Sequence, residues 1–330
     1  MEKKSLPKGQ NPKNLQDLAP TKNRIFEYAL LLIAFVILVI GIIGIFLSPE
    51  NRAVSLNDKC VGYIELRGEI VSYVPSADLF GAADNIVSSK EVKELLKDIE
   101  KKDNIKALVV LIDSPGGSVV ASDEIYRALK KFPKPKVAYL KEIAASGGYY
   151  AALGTDYIIS DPHALTGSIG AKMTLIELTS LFEKIGYNQT NIKSGEYKDI
   201  GDFSKKPTEK EIQMLSALVN ETFEDFKNIL LQNRANKLKP QYLEDVYQAG
   251  IFSGKQAYNI GLVDALGDEE DAIKKASELA GYKENLEVCQ LGKKKQGLIG
   301  TLLGEFITPL LPKIQININL PKNSPLIEYT

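Results

Sequence analysis

The chain has 330 residues, and its 41 basic and 42 acidic side chains leave a formal net charge of -1. This near-neutral balance argues against a nucleic-acid-binding protein, which is usually basic. Hydrophobic residues make up 44% of the chain and charged residues 25%, as in an ordinary folded protein. The two cysteines and the single histidine lack the spacing of metal ligands, so we predict neither a metal nor another cofactor.

The N-terminal part of the chain differs in composition from the rest. Residues 1–27 are polar and rich in Lys, Asn and Pro, which predicts a disordered tail. Residues 28–47 read YALLLIAFVILVIGIIGIFL, an uncharged stretch long enough to cross the roughly 30 Å core of a bilayer as a helix. A cleaved secretory signal would have a shorter apolar region and a small-x-small site after it. We therefore expect an uncleaved anchor at 28–47 and a linker at 48–57.

The charges that flank this stretch predict its orientation. Six basic residues precede it, but only Arg52 and Lys59 closely follow it. The positive-inside rule then places the N-terminus in the cytoplasm and the rest of the chain outside a single-pass cell-membrane anchor. In such an oxidising compartment Cys60 and Cys289 could form a disulfide, although two buried free thiols are as easy to accommodate.

After the linker, strand and helix patterns alternate along the chain. Strands are predicted at Cys60–Arg67, Ile105–Ile112, Lys136–Leu140, Tyr157–Ser160 and Leu286–Leu291. Helices are predicted at Val87–Lys102, Val119–Phe132, Ser146–Leu153, Ile176–Ile185, Lys206–Leu238, Gln241–Ala249, Lys255–Ile260 and Asp268–Leu279. The run IKALVVLI is apolar throughout, which is typical of a strand buried on both faces. The alternation indicates an α/β domain with a largely parallel sheet.

Residues 293–330 form a separate C-terminal segment. An apolar stripe at four-residue intervals between Leu298 and Leu311 predicts an amphipathic helix, and a flexible tail follows it. This helix could pack on its own domain, or it could contact the membrane surface or a neighbouring subunit. The sequence leaves these alternatives open.

Three glycine-rich turns follow predicted strands: DSPGGS at 113–118, AASGGYYAA at 144–152 and TGSIG at 166–170. Glycines in such turns let backbone N–H groups approach a ligand, and the first pair could present them to an oxyanion. In the second turn, Ser146 stands where a strand passes into a helix. A single motif of this kind is most often only a helix cap or a turn. The three in this order are far less common.

These motifs, downstream of the anchor, resemble the signal peptide peptidase A family. The resemblance implies catalysis by a Ser–Lys dyad, with Ser146 as the nucleophile and Lys198, in SGEYKDIGDF, as the general base. Gly117 and Gly147 take the positions whose N–H groups form the oxyanion hole. Ser168 takes the place of the serine that hydrogen-bonds the lysine.

The resemblance covers about residues 60–291 and implies the α/β fold shared by the Clp protease proteolytic subunit and the crotonases. It makes 58–292 an extracytoplasmic serine peptidase domain. One copy of the fold resembles the family's short form, whose members assemble as homo-oligomeric rings, octamers, with active sites shared between subunits. The implied function is an endopeptidase that degrades remnant signal peptides after their release from preproteins, and also other peptides or unfolded proteins, at the membrane.

A lysine can act as the base only when its amine is neutral. Free lysine titrates near 10.4, so action at pH 7–8 requires the pKa of Lys198 to fall by roughly three units, which burial can supply. Glu196 and Asp199 flank this lysine and would oppose that shift if they contacted its amine. We therefore expect both carboxylates to face solvent or other partners.

His163 is the rival base, because it is the only imidazole in the chain. A Ser-His-Asp triad would need Asp161 or Asp113 to orient its ring. Asp161 lies only two residues away and is followed by Pro162, which is a poor arrangement for that purpose. We expect His163 to be a loop residue near the site and Asp113 to fix its own turn.

Other functions remain as alternatives. A crotonase-like acyl-CoA enzyme would share the paired oxyanion amides, but it would be cytosolic, would lack an anchor and would use carboxylate bases. A catalytically inactive scaffold would retain only the fold. The membrane serine protease that acts on stomatin-like partners carries several spans after its protease domain, and we find none in that position here.

Overall fold

The computed structural model of the protein describes residues 59–73, 85–291 and 327–329. It also describes five exposed helical positions: Tyr28, Leu31, Leu32, Phe35 and Val36. The predicted N-terminal tail, most of the predicted anchor, the predicted linker and the apolar stripe of the C-terminal segment lie outside the described residues. No helix within the described part of the chain is both long and apolar enough to cross a bilayer.

The described strands and helices alternate along the chain. The strands are β1 (Cys60–Arg67), β2 (Glu69–Val71), β3 (Ile86–Ser88), β4 (Ile105–Ser114), β5 (Gly117–Ser118), β6 (Lys136–Ala145), β7 (Tyr157–Ser160), β8 (Leu165–Gly167), β9 (Lys172–Met173), β10 (Ile251–Ser253), β11 (Ala265–Leu266), β12 (Glu287–Gln290) and β13 (Ile327–Tyr329). The helices are α1 (Ser89–Glu100), α2 (Val119–Lys131), α3 (Gly147–Ala152), α4 (Thr179–Ile185), α5 (Glu209–Arg234), α6 (Leu243–Tyr247), α7 (Gly254–Ile260) and α8 (Glu269–Leu279), with a 3-10 turn at Pro240–Tyr242.

The larger sheet has the strand order β10-β8-β6-β4-β1-β12, with β7 also paired to β6 and β11 paired to β7. All of these pairs are parallel except β10 with β8. Parallel neighbours need a crossover, and the helices that follow the strands supply it. The predicted mixed α/β fold with a parallel sheet is confirmed.

Helices cover both faces of this sheet, so its central strands are buried on both sides. Ile64 and Val110 point into a core shared with α1, α2 and α3, while Tyr63 and Val109 point into a second core against α8. Successive strand residues point to opposite faces, which explains why the apolar run of β4 is continuous rather than alternating. The interpretation of IKALVVLI as a doubly buried strand is therefore correct.

Most predicted elements lie within a few residues of the observed ones, but β6 is longer than expected. The predicted strand ended at Leu140, whereas the observed strand continues to Ala145. Lys141 is half-buried, and Glu142 and Ile143 are exposed, so the apolar pattern stops halfway along the strand. The unpredicted half of β6 carries the chain to the second glycine-rich turn.

A smaller sheet of the described residues lies at the carboxyl ends of β1, β4 and β6, in the order β3-β2-β5-β13-β9. Its unexpected member is β13, near the C-terminus of the chain. This strand runs antiparallel to both of its neighbours: Glu328 lies opposite Ser118 of β5 and Lys172 of β9, and Tyr329 lies opposite Gly117. Main-chain pairing thus holds residues 327–329 on both sides.

A disulfide joins Cys60 in β1 to Cys289 in β12. The two strands are parallel neighbours, and Cys60 is fully buried in the core. The bridge therefore ties the first and last described strands of the larger sheet together across 229 sequence positions. Of the two alternatives for the cysteines, the structure has the disulfide.

The disulfide should contribute to stability because it closes a long loop in the unfolded chain. We expect Cys289→Ala to lower the free energy of unfolding by about 2–5 kcal/mol, measured by denaturant titration. The unpaired Cys60 that remains is small and apolar enough to stay buried. A reductant should destabilise the wild type to the level of the variant and leave the variant unchanged; equal insensitivity of both proteins would contradict the bridge.

Candidate active site

Ser146 lies between the end of β6 and the start of α3, in a strained backbone conformation. Its φ is 53° and its ψ is -119°, a region that residues other than glycine rarely occupy and that costs about 1–3 kcal/mol. The Ser146 N–H donates to the carbonyl oxygen of Gly167 at 2.8 Å, which helps to hold the turn. A strained serine between a strand and a helix is typical of hydrolase nucleophiles, because the turn projects the hydroxyl from the backbone.

The hydroxyl of Ser146 is buried and has no hydrogen-bond partner among the described residues. It does not accept a hydrogen bond from the first turn of α3, so it is not a helix cap. Burying a hydroxyl without a partner costs about 1–3 kcal/mol. Unsatisfied groups of this kind are rare in native proteins, and a catalytic role is one of the explanations for them; the hydroxyl of Thr179 is the other such group among the described residues.

Gly147 packs directly against the first glycine-rich turn. A Cβ added to Gly147 would lie 3.2 Å from the Cα of Gly116 and 3.3 Å from the backbone nitrogen of Gly117, and it would overlap the hydroxyl of Ser122. Only a hydrogen atom fits there. This close contact brings the backbone of the Ser146 turn beside Gly117, as an oxyanion hole made from the Gly117 and Gly147 N–H groups would require.

Gly117 is also a position where the backbone requires glycine. Its φ is 150°, and an added Cβ would lie 2.8 Å from the backbone nitrogen of Ile70 in β2. The preceding residue, Gly116, accepts the Ile70 N–H through its carbonyl at 2.8 Å, and its own N–H donates to the hydroxyl of Ser114. The SPGG turn is therefore fixed by β2 on one side and by the end of β4 on the other.

Ser168 lies on the other side of Ser146. Ala145 and Gly167, the last residues of the parallel strands β6 and β8, are paired, and Ser146 and Ser168 directly follow them. Ser168 also has a positive φ of 50°, and its N–H donates to the carbonyl oxygen of Gly250 at 2.8 Å. Its side chain is buried.

Lys198 is the one predicted site residue that does not join this group within a single chain. It lies in the turns between α4 and α5, its side chain is exposed, and its N–H donates to the carbonyl oxygen of Gly195. Because the Ser146 hydroxyl has no partner among the described residues, the amine of Lys198 is not within hydrogen-bonding distance of it.

The two carboxylates that flank Lys198 are paired with other lysines. Asp199 Oδ1 accepts from the Nζ of Lys193 at 2.6 Å and of Lys205 at 3.0 Å, and these hydrogen bonds, the one from Lys193 above all, hold the pKa of Asp199 well below its usual range. Glu196 pairs with Lys210 at 3.3 Å on the surface. The expectation that both carboxylates have partners other than Lys198 is confirmed.

The structure assigns His163 and Asp113 to structural contacts. His163 is exposed, and its backbone N–H, not its ring, donates to Asp161 at 2.7 Å. Asp113 accepts the Ile143 N–H at 3.3 Å and lies 3.5 Å from the guanidinium of Arg67, so it fixes the end of β4. No Ser-His-Asp triad forms among the described residues, because the Ser146 hydroxyl has no partner there.

Ser122 and Gly167 also contact the Ser146–Gly147 turn, although neither was predicted as a site residue. Ser122 lies in α2 with its hydroxyl against Gly147, and it donates to the carbonyl oxygen of Ser118 at 2.9 Å. Gly167 supplies the carbonyl that accepts the Ser146 N–H. Gly167 lies within the TGSIG motif, but its contact with Ser146 joins distant parts of the sequence, and nothing in the local sequence marks Ser122.

Comparisons with known proteins give matches along the described domain. The model of peptidase family S49 matches residues 128–283, and the Clp protease model matches residues 78–164. The "Putative protease MJ0651" of Methanocaldococcus jannaschii is 36% identical over 283 residues, which cover 83% of this chain and 89% of that protein. The "Putative signal peptide peptidase SppA" of Enterococcus faecium is 33% identical over 181 residues, which cover 54% of this chain and 52% of that protein.

A solved structure of a membrane-bound stomatin-specific protease is 16% identical and covers 72% of this chain and 99% of its own, with a TM-score of 0.41, which is too low to carry an argument. The matches in sequence favour a peptidase over the acyl-CoA enzyme that the fold also allows. Together with the strained serine and the adjacent glycine turn, they show that the chain belongs to peptidase family S49 and is a serine endopeptidase.

Proposed function

We propose that the protein is a membrane-anchored peptidase of the signal peptide peptidase A type, which uses Ser146 and Lys198 as a catalytic dyad. The buried, strained and unpartnered Ser146 hydroxyl beside Gly117 is the observation that carries this proposal. The substrates would be signal peptides that remain after release from preproteins, together with other peptides or unfolded proteins. The uncharged stretch at 28–47 would hold the site close to the outer surface of the bilayer, where such remnants emerge.

The mechanism begins with attack of the Ser146 Oγ on the scissile carbonyl carbon, while the neutral amine of Lys198 takes the hydroxyl proton. The N–H groups of Gly117 and Gly147 stabilise the negative oxygen of the tetrahedral intermediate. The intermediate collapses to an acyl-enzyme, and the lysine returns the proton to the leaving amine. Water then attacks the ester, with the same lysine as base, and Ser146 is regenerated.

A second copy of the chain would supply the lysine. Lys198 lies away from Ser146 within one chain, in a segment that has little core packing. Helix α4 has no buried residue, and large apolar side chains between β9 and α5 are exposed, among them Ile176, Ile185 and Ile192. Covering these side chains in a homo-oligomer, as in the octamers of the family, would also bury the amine and lower its pKa.

Strand β13 supports a substrate cleft between β5 and β9. An extended peptide binds to an exposed strand edge through main-chain hydrogen bonds, and β13 does so on two sides at once. Its residue Tyr329 lies opposite Gly117, the proposed oxyanion residue. The chain's own C-terminus thus occupies the cleft in the way that we propose for a substrate.

An apolar cavity beside the cleft fits the apolar character of signal peptides. It has a volume of about 370 Å³ and lies between β9 and α5, lined by Lys172, Met173, Leu175, Ile212, Leu215, Ser216, Val219 and Asn220. Because β13 pairs with Lys172 and Met173, a peptide in its place would lie beside two of the residues that line this cavity. Apolar substrate side chains would gain about 25 cal/mol for each Å² of surface that they bury there.

The dyad predicts which substitutions remove activity. Ser146→Ala and Lys198→Ala should each lower kcat/KM for an apolar peptide by at least about 1,000-fold, with melting temperatures close to the wild type. His163→Ala is the control, and it should keep both the rate and its pH dependence. Peptide hydrolysis and labelling of Ser146 by a fluorophosphonate measure these effects. Normal peptide hydrolysis by either Ser146→Ala or Lys198→Ala would contradict the proposed mechanism. If the fall in rate at low pH disappeared in His163→Ala, that would indicate a Ser-His-Asp triad.

A shared active site predicts complementation between inactive variants. We expect an equal mixture of Ser146→Ala and Lys198→Ala subunits, refolded together, to regain about a quarter of the wild-type activity. After random mixing, about a quarter of the shared sites receive an intact Ser146 from one subunit and an intact Lys198 from its neighbour. Each variant refolded alone is the control. If both residues came from one chain, every site would lack one of them, and the mixture would stay inactive.

Occupation of the cleft by β13 predicts self-processing. Mass spectrometry of the purified wild type should show loss of the final residues, whereas Ser146→Ala should retain the chain through Thr330. Ile327→Pro removes a main-chain donor from β13 and should slow the loss. An identical intact C-terminus in the wild type and in Ser146→Ala would argue against a productive position of this strand.

A further inference from the structure

Asp199 directly follows the proposed base, Lys198, and its negative charge would favour the protonated form of the lysine. An opposite charge within about 4–6 Å of an amine favours the ammonium form and raises its pKa by roughly 1–3 units. If the Asp199 carboxylate turned to the amine of Lys198, the lysine would keep its proton at neutral pH and could not act as a base.

Lys205 is the second lysine that contacts this carboxylate. Its Nζ lies 3.0 Å from Asp199 Oδ1, and the same Nζ donates to Glu211 Oε1. Lys193 belongs to the same turn region as Asp199, so it can move together with that carboxylate. Lys205 differs because its second partner, Glu211, belongs to helix α5.

Glu211 is a fixed anchor. Its side chain is 2% exposed, and it forms a capping box with Thr208 at the start of α5: the Thr208 N–H donates to Glu211 Oε2 at 2.8 Å, and the Glu211 N–H donates to the Thr208 hydroxyl at 3.3 Å. Burial disfavours the charge of Lys205, but hydrogen bonds to Glu211 and Asp199 outweigh this and raise its pKa. Lys205 is therefore a charged bridge between the capped end of a helix and Asp199.

We infer that Lys205 is a positioning residue for the proposed base: its bridge from Glu211 keeps the Asp199 carboxylate away from the amine of Lys198. The inference rests on the proposed function, since it concerns the protonation of the proposed base. The pair formed by Glu196 and Lys210 does not have this character. Both of its side chains are more than half exposed, and such surface pairs contribute little.

The other charges near Asp199 allow the direction of the effect to be worked out. Lys193 and Lys205 donate to Asp199, Glu211 neutralises part of the charge of Lys205, and Asp202 is a further carboxylate that Asp199 repels. Loss of Lys205 removes one of the two cations on Asp199 and the link to α5. The negative charge near Lys198 then increases, so the pKa of its amine rises, and activity that needs the neutral amine moves to higher pH.

The experiment is the pH dependence of kcat/KM for peptide hydrolysis by the full-length protein. In Lys205→Met, the acid limb of the pH profile should move to higher pH by about one unit. At a given pH on that limb kcat/KM should fall about 10-fold, because one pKa unit changes the fraction of neutral Lys198 amine tenfold. Lys205→Met with Asp199→Asn should return the limb to the wild-type position. Lys210→Met is the matched control for loss of a lysine, and its limb should coincide with the wild type.

Lys205→Met leaves Glu211 buried without its cation, so folding needs its own control. The double variant Lys205→Met with Glu211→Gln keeps an acceptor for the Thr208 N–H and removes the unpaired charge. Its acid limb should show the same shift to higher pH as that of Lys205→Met. A different result would be that Lys205→Met lowers kcat/KM without moving the acid limb, and by the same factor whether or not Asp199→Asn is present. That result would mean that Lys205 is only structural, and it would overturn the inference. Normal hydrolysis by Lys198→Ala would instead remove the proposed base, and this inference with it.

Discussion

The absence of room for a side chain at Gly147 is the constraint on which the rest of the site depends. A Cβ at Gly147 would overlap the hydroxyl of Ser122 and would approach the backbone of Gly116 and Gly117 more closely than Cβ atoms normally do. This contact joins the ends of β4 and β6, which the parallel sheet places side by side, directly after the strained Ser146. Two buried cores, one on each face of the sheet, supply the stability that such strain requires.

Much of the fold follows from the sequence because the central strands are buried on both faces. Their long apolar runs and the amphipathic helices between them have patterns that few other structures share. The second half of β6 was not predicted, because Lys141, Glu142 and Ile143 interrupt the apolar pattern with partly or fully exposed positions. Short strands such as β9 and β13 are held by main-chain pairing between distant residues, and local sequence carries no signal for it.

The residues of the candidate site also differ in how far the sequence alone could predict them. Ser146 and the glycines beside it could be found because glycine is the residue that close backbone contact demands, and the motifs that contain it lie directly after strands. Lys198 is one lysine among many, and only resemblance to a family singled it out. Its surroundings depend on ion pairs between the turn region and α5, through Lys205 and Glu211, and these arise from tertiary contact rather than from spacing.

The position of β13 would also affect how strongly the proposed cleft selects its ligands. A strand that is covalently part of the molecule is present at a high local concentration beside β5 and β9, whatever the concentration of protein. An incoming peptide would therefore have to replace main-chain hydrogen bonds on two edges, and short or poorly fitting peptides would not offset that loss. In its resting form the molecule would select peptides by competition: a peptide would bind only if it pairs with β5 and β9 more favourably than β13 does.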